Sequence, residues 1–470
     1  MLSSSKMTSL RIVAAIALIL TFIISFASAQ QCGYKLTKPK MKSQPVAAPG
    51  WEWSVLHNDF RQPRTILFDD MGGLLVLDSG GGILHLSLDD TDVGGRCVRV
   101  SKKSTLLKKP DLNHGLALSK DGRTIYASSS KSVWAYSYNP MQVRLDQNSE
   151  RLVVDNMASN GHTWRSLLMS QKNPDMLIVS RGSGPKYDEE AEELSSGHAQ
   201  IRAFNMSAID RISPDTKPYD FAKDGVVLGW GLRNAQGLAE HPVTGGIFST
   251  ENSYEVLKRD RQDISVDNPG EEMNFHGYLN GSTVSGGGNY GYPFCYSLWS
   301  TRKFPDIGGM KIGEQFGADH KSGIPRRLDE KCSRDHVAPV QVFQAQSAPI
   351  GIEFNPNGTR AYMAFHGSWN RVEPVGYQVA YTDFKDGQPA IAAIKSRNAT
   401  TPILFNKNIN RCDDNCFRPV SLAWDMKNRL YVSSDTTGEI FVLYDTWNAV
   451  LDKSNTKEAY VWGGNEGSKR

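Results

Sequence analysis

The groups best suited to chemistry in this 470-residue chain are a scattered set of guanidinium, imidazole and amide side chains. Arg64, Arg233 and Arg371 each stand in a polar segment beside apolar runs. A guanidinium pairs with a carboxylate as a two-pronged fork, so three of them suit one polyanionic ligand. His162, in Asn160-Gly161-His162-Thr163-Trp164-Arg165, is a side chain whose ordinary pKa lies near neutrality, as a proton acceptor requires. Asn234 follows Arg233, and His366, Trp369 and Asn370 stand beside Arg371. Ser249-Thr250-Glu251-Asn252 offers the oxygen donors, backbone carbonyls included, that calcium takes. Plainer readings exist: Arg233 and Asn234 stitching loops, His162 capping a strand, Arg64 in a surface ion pair, Trp369 packed in a core. Asp69 and Asp121 sit in turns and need no role beyond turn chemistry.

What must position these groups is a repeated unit. An apolar triplet, a turn with Asp, Asn or Gly, a second apolar run and small polar residues occur from Ile66 to Asp78. The pattern returns from Leu116 to Ser128, Leu167 to Ser180, Leu238 to Thr250, Ile352 to Phe365 and Leu422 to Ser434. Each copy reads as two strands and a tight turn, with a further strand in copies such as Ile83 to Leu86 and Ile440 to Leu443. Six copies predict an all-β chain, a six-bladed β-propeller of four-stranded antiparallel sheets with helix nearly absent. A sandwich, or two unrelated β domains, is the rival.

In a propeller, residues before the first strand of each copy and just after the second reach one mouth of the channel. Here those places hold Arg64, Asp78, His162, Arg181, Arg233, Asn234, Glu251, Asn252, His366, Asn370, Arg371 and Asp435. The largest insertion runs roughly from Ser253 to Pro349, and a loop of that length in a compact domain is usually functional.

Composition narrows the field. At 39% hydrophobic and 22% charged the chain is neither disordered nor a coiled coil. Its 53 basic against 50 acidic residues give no reason to expect nucleic acid or an anionic membrane as partner. Lys6 and Arg11, the apolar run Ile12 to Ile24 and Ala27-Ser28-Ala29 predict a secretion signal over residues 1–29. The mature chain then begins at Gln30 as an extracellular protein without a membrane span, expected to be a monomer. Residues 30–50 read as an N-terminal segment, 51–451 as the propeller domain and 452–470 as a polar tail. Six cysteines in an exported chain read as disulfides, and proximity suggests Cys412–Cys416 and Cys295–Cys332, leaving Cys32–Cys97. A zinc site is the rival, without a Cys-x-x-Cys pair to support it. Glycosylation sequons stand at Asn205, Asn280, Asn357 and Asn398.

Gly231-Leu232-Arg233-Asn234-Ala235-Gln236-Gly237-Leu238 resembles the Gly-x-Arg-Asn-x-Gln-Gly segment of the glucose/sorbosone dehydrogenases, which use pyrroloquinoline quinone (PQQ). The Gly-Gly-Asn-Tyr-Gly-Tyr-Pro run ending at Pro293, and Phe365-His366-Gly367-Ser368-Trp369-Asn370-Arg371, are similar to that superfamily. The longer stretch from Asp267 to Gly281 resembles the fungal PQQ-dependent pyranose dehydrogenases.

The resemblance implies a planar ortho-quinone with three carboxylates, gripped by Arg64, Arg233 and Arg371 with Asn234, His366, Trp369 and Asn370. It implies a calcium ion on the quinone, with ligands from Ser249, Glu251 and Asn252, and His162 as the base that frees hydride from a sugar C1. The electrons would leave to an external acceptor: a quinone, a cytochrome or a lytic polysaccharide monooxygenase. Some fungal relatives add a haem domain and a cellulose-binding module, for which residues 30–50 and 452–470 are too short. Calcium-dependent propeller lactonases or esterases, and non-catalytic carbohydrate-binding propellers, are the other classes. The hydrolases have no use for converging arginines.

Overall fold

The computed structural model describes residues 32, 36–41, 43–90, 97–184, 187–207, 217–281, 287–318, 325–369, 371–412 and 415–446. The expected leader, Asn370 and the polar tail lie outside the described residues.

The six repeated hairpins are the two inner strands of six blades. They are Pro63–Phe68 with Leu74–Asp78, Leu112–Leu118 with Thr124–Ser129, and Leu167–Met169 with Met176–Arg181. The remaining three are Ala235–Glu240 with Gly246–Glu251, Pro349–Phe354 with Arg360–Phe365, and Pro419–Trp424 with Leu430–Ser434. Local turn chemistry makes them. In the first, the Asp69 carboxylate accepts the N–H groups of Met71 and Gly73 at 3.0 and 2.8 Å, while Gly72 adopts φ +77°. Asp425 does the same for Lys427 and Arg429 in the last.

Third and fourth strands complete the antiparallel blades, and two sheets gain a short parallel strand at the outer edge, Tyr219–Asp220 and Gly288–Asn289. The sixth blade takes its outer strand from the other end of the chain: Trp51–His57 pairs antiparallel with Glu439–Asp445. The inner strands stand side by side around the ring, and Pro63–Phe68 meets Pro419–Trp424 to close it.

The core is distributed between blades. Leu75, Leu77, Leu112 and Tyr136 fill the wedge between blades one and two. Val153, Leu177, Phe204 and Phe221 fill the next, and four further wedges continue around the ring. The long insertion is not wholly a loop. It supplies the outer strands of blade four, Glu271–Tyr278 and Gln341–Phe343. The remainder has its own apolar core around Leu257, Tyr292, Tyr296 and Phe316 and the helix Pro325–Asp335. The disulfides are Cys32–Cys97, Cys295–Cys332 and Cys412–Cys416. The asparagines of all four sequons are exposed.

Register fixes where chemistry can sit. Pro63 faces Asp78, Ala235 faces Glu251, Pro349 faces Phe365 and Pro419 faces Ser434. The start of each inner strand and the end of the second therefore share one mouth, and the tight turns share the other. A cavity of about 350 Å³ is lined by all six inner strands and extends toward the tight turns at Asp70, Lys120 and Gln171.

Closure by the N-terminal strand should be sensitive to its packing. Phe441 is fully buried against Trp53 and Phe417, with ring centroids 5.5 and 5.0 Å away. Phe441→Ala is expected to cost about 3–5 kcal/mol in a denaturant titration.

Candidate functional site

The strand-start mouth holds two joined clusters. The first is built on Arg64, 2% exposed on the inner strand of blade one. Its Nη1 forms an ion pair with the Asp435 carboxylate at the end of blade six, and its Nε and Nη2 lie 3.2 and 3.1 Å from His114 Nδ1. The guanidinium carbon sits 3.7 Å above the Trp164 ring, on which His114 also stacks. The other Asp435 oxygen is 2.9 Å from His366 Nε2. Arg418, one residue before the last inner strand, donates to the carbonyls of His366 and Gly367 at 3.1 and 2.9 Å.

Burial alone would push the Asp435 carboxyl up, but His366, Arg64 and Arg418 overcome it and hold it well below the usual carboxylate range. Burial, then Arg64, also lowers His114 well below its ordinary value, which keeps the ring neutral and able to accept from the guanidinium.

The second cluster surrounds His162. Buried Arg165 donates to the carbonyls of His162, Trp164 and Met157 at 2.6, 2.9 and 2.7 Å, pinning the loop that carries both rings. His162 Nδ1 lies 2.9 Å from the Ser183 hydroxyl. Gly182 makes this approach possible: a Cβ there would stand 2.7 Å from His162 Cβ and 2.8 Å from Asn234 Oδ1. Arg233, 2% exposed, donates through Nη1 to the Ser253 carbonyl at 2.7 Å and lies 3.5 Å from that of Asn252. Its Nη2 reaches Glu255 at 3.2 Å. Asn234 Oδ1 accepts from Gln236 at 2.6 Å, and Asn234 Nδ2 lies 3.4 Å from Asn252 Oδ1.

Behind Arg233 lies a buried acid pair. Glu251 accepts the Arg233 backbone N–H at 2.6 Å, and Asn274 Nδ2 bridges Glu251 and Glu272 at 3.1 and 3.0 Å. Burial first, and Glu272 second, push Glu251 well up, so the pair behaves as carboxyls sharing a proton. Burial likewise raises neighbouring Glu271 to about 8.

Three donors in this cluster have no acceptor among the described residues: Arg165 Nε, Arg233 Nε and Asn252 Nδ2, all buried. Three guanidinium groups and unspent amide donors around one mouth suit a planar, acceptor-rich anion. The converging carbonyls of Asn252 and Ser253 suit a hard cation.

A family model described as TrAA12-like matches residues 45–446. The chain belongs to the TrAA12-like family. It is 45% identical over 426 residues to a "Pyrroloquinoline quinone-dependent sugar dehydrogenase" of Hypocrea jecorina, covering 90% of this chain and 94% of that one. A solved calcium structure of a Trichoderma reesei Carbohydrate-Active Enzymes Family AA12 protein superposes with a TM-score of 0.83 at 45% identity, over 87% of this chain and 99% of that one. The holo form of a pyranose dehydrogenase PQQ domain from Coprinopsis cinerea gives 0.78 at 32% identity, over 86% and 98%.

Within this TrAA12-like fold the sequence-predicted residues separate. Arg64, His162, Arg233, Asn234, Asn252 and His366 come together at the mouth. Ser249 and Glu251 lie fully buried in the strand below, with the Ser249 hydroxyl 2.8 Å from His276 Nε2. Arg371 is half-buried at the surface, donating to the carbonyls of Glu373 and Val266, and is not joined to the Asp435 network. Trp369 is 67% exposed. Arg181 and Asp78 bind neighbouring backbone.

Sequence reasoning passed over His114, Arg165, Ser183 and Arg418. Two signals were present. Arg418 immediately precedes an inner strand, as Arg233-Asn234 precedes another, and His114 lies near the start of a third.

Two outcomes are expected. Asp435→Asn leaves Arg64 buried without a counter-charge and should cost about 3–5 kcal/mol by chemical denaturation. Burial, then the Arg233 charge, lowers His162 from 6.5 to about 3. Folding therefore opposes protonation, and this contribution to stability is complete above 6.5 and declines as pH falls toward 3. An NMR titration of the protein without cofactor should show the His162 ring neutral at pH 5.

Proposed function

We propose that this chain is an extracellular PQQ-dependent dehydrogenase that oxidises the C1 position of pyranose sugars or ketoaldoses and passes the electrons to an external acceptor. The carrying observation is the meeting of three buried or half-buried guanidinium groups, three unspent buried donors and an uncharged imidazole at one mouth of the ring. The relatives' names point the same way. The extracellular setting is supported by three disulfides and four exposed sequons. No helix among the described residues is long and apolar enough to cross a membrane. The acceptor would be a quinone, a cytochrome or a lytic polysaccharide monooxygenase.

When bound, the calcium-polarised ortho-quinone supplies the hydride acceptor. Arg64, Arg233 and Arg418 are the guanidinium groups that would hold the carboxylate-bearing disc, and Asn234 and Asn252 would offer amide groups to its oxygens. The Asn252 and Ser253 carbonyls are the donors best placed for the cation. Sugar binding against this surface lets His162 take the O1 proton as C1–H is lost, so a hemiacetal leaves as a lactone. Burial first, and then the nearby cations Arg233 and Arg165, keep His162 neutral in the resting site and hence able to accept that proton.

The test is reconstitution with PQQ and calcium, following dye reduction across aldoses and 2-keto-aldoses. His162→Ala should bind PQQ with its spectrum intact and lose about 10²–10⁴-fold in turnover. Retained turnover removes His162 from the mechanism. Absence of a PQQ spectrum together with calcium-dependent lactone cleavage would make the protein a hydrolase.

A further inference from the structure

Which nitrogen of a neutral histidine carries the proton is settled by what the other nitrogen meets. At His162 the Nδ1 atom meets a hydroxyl, that of Ser183, 2.9 Å away. Ser183 is wholly buried and held by backbone on both sides. Its carbonyl accepts from His162 N–H at 3.2 Å and its N–H donates to the Arg233 carbonyl at 2.8 Å. The Ser183 hydroxyl is also hydrogen-bonded to the phenol of Tyr292, a buried residue of the Gly-Tyr-Pro run that the site has not otherwise used.

Tyr292 is anchored from its far side. Its oxygen accepts the Asp188 backbone N–H at 2.8 Å, a donor that cannot reverse. The Asp188 carboxylate accepts the Gly184 N–H and lies 2.8 Å from His198 Nδ1, which secures the segment.

Resting on the reading of His162 as the base, we propose that Ser183 and Tyr292 are positioning residues that fix its tautomer. Nδ1–H donates to Ser183, Ser183 O–H donates to Tyr292, and the lone pair is left on Nε2. The reversed chain, from Tyr292 to Ser183 to Nδ1, would place the proton on Nε2 and remove the base. The charges bearing on His162 are Arg233, Arg165 and Asp188; those on Tyr292 are Arg233 and Asp188. A carboxylate on Nδ1 would orient the ring and also make it more basic, whereas a hydroxyl pair orients it without adding charge. The base is thereby kept uncharged beside two guanidinium groups.

The experiment uses the whole chain labelled with ¹⁵N-histidine, without cofactor, the His162 signals being assigned by their loss in His162→Ala. Wild type should show a pyrrole-type Nδ1 and a pyridine-type Nε2. Tyr292→Phe, which keeps the ring packing, and Ser183→Ala should each give mixed tautomers. After reconstitution both should lose about tenfold in kcat with KM changed by less than about twofold. A role in stability alone would lower the melting temperature and leave the nitrogen shifts as they are, which overturns the proposal. A wild-type ring protonated on Nε2 overturns it as well. Full turnover in His162→Ala defeats instead the reading beneath it, and is recognised because the tautomer is measured independently of activity.

Discussion

A guanidinium that is 2% exposed has given up its hydration, and for Arg64 the compensating anion is Asp435, 371 residues further along the chain. The two come from the first and last blades, so the pair exists only when the ring is closed. The same carboxylate holds His366 from blade five, and Arg418 holds the His366 carbonyl. The geometry of this half of the mouth thus depends on one buried charge pair, and the pair depends on closure by the strand Trp51–His57. Such a pair adds little net stability over apolar packing, because desolvation consumes most of the attraction. What it does is hold a cation and an imidazole in fixed positions at the opening of the channel.

The other half of the mouth is supported differently. Arg233 is oriented by its own backbone N–H on Glu251 and by carbonyls that receive its guanidinium. Beneath it Glu251 and Glu272 behave as an acid pair sharing one proton, linked by Asn274. Sharing a proton leaves one buried negative charge in place of two, while the Arg233 guanidinium itself pairs with Glu255. The two halves meet at the loop carrying His162 and Trp164. One of its rings lies under the Arg64 guanidinium and the other is set by Ser183. An imidazole that stays uncharged between cations fits a reaction in which a proton must be accepted while an anionic redox partner is held close by.

The repeats and their turns were legible in the sequence because they are local. A carboxylate that caps its own turn, as Asp69 does, needs only the next four residues, and alternating apolar runs declare a strand wherever it lies. The outer strands of blade four were hidden, since Glu271–Tyr278 opens with two acidic residues that read as loop and are in fact fully buried. Several site residues could be named from their place beside a strand: Arg64, His162, Arg233 and His366. That same rule named Arg371, which the structure leaves at the surface, and did not name Arg418, which it brings into the network.

By itself the sequence determined the class of structure, the number of blades, the pairing of near cysteines and the end of each blade at which polar groups collect. Apart from Cys295–Cys332, which lie 37 residues apart, these follow from local patterns along the chain. Only the tertiary structure decided which of those groups touch: Arg64 with Asp435, His162 with Ser183, Glu251 with Glu272. The first joins two blades, the second joins the entry and exit of one blade's hairpin, and the third joins an inner strand of blade four to the insertion. How one blade rotates against the next is set by the apolar wedges between blades, where many side chains must fit at once, and no single segment carries the information.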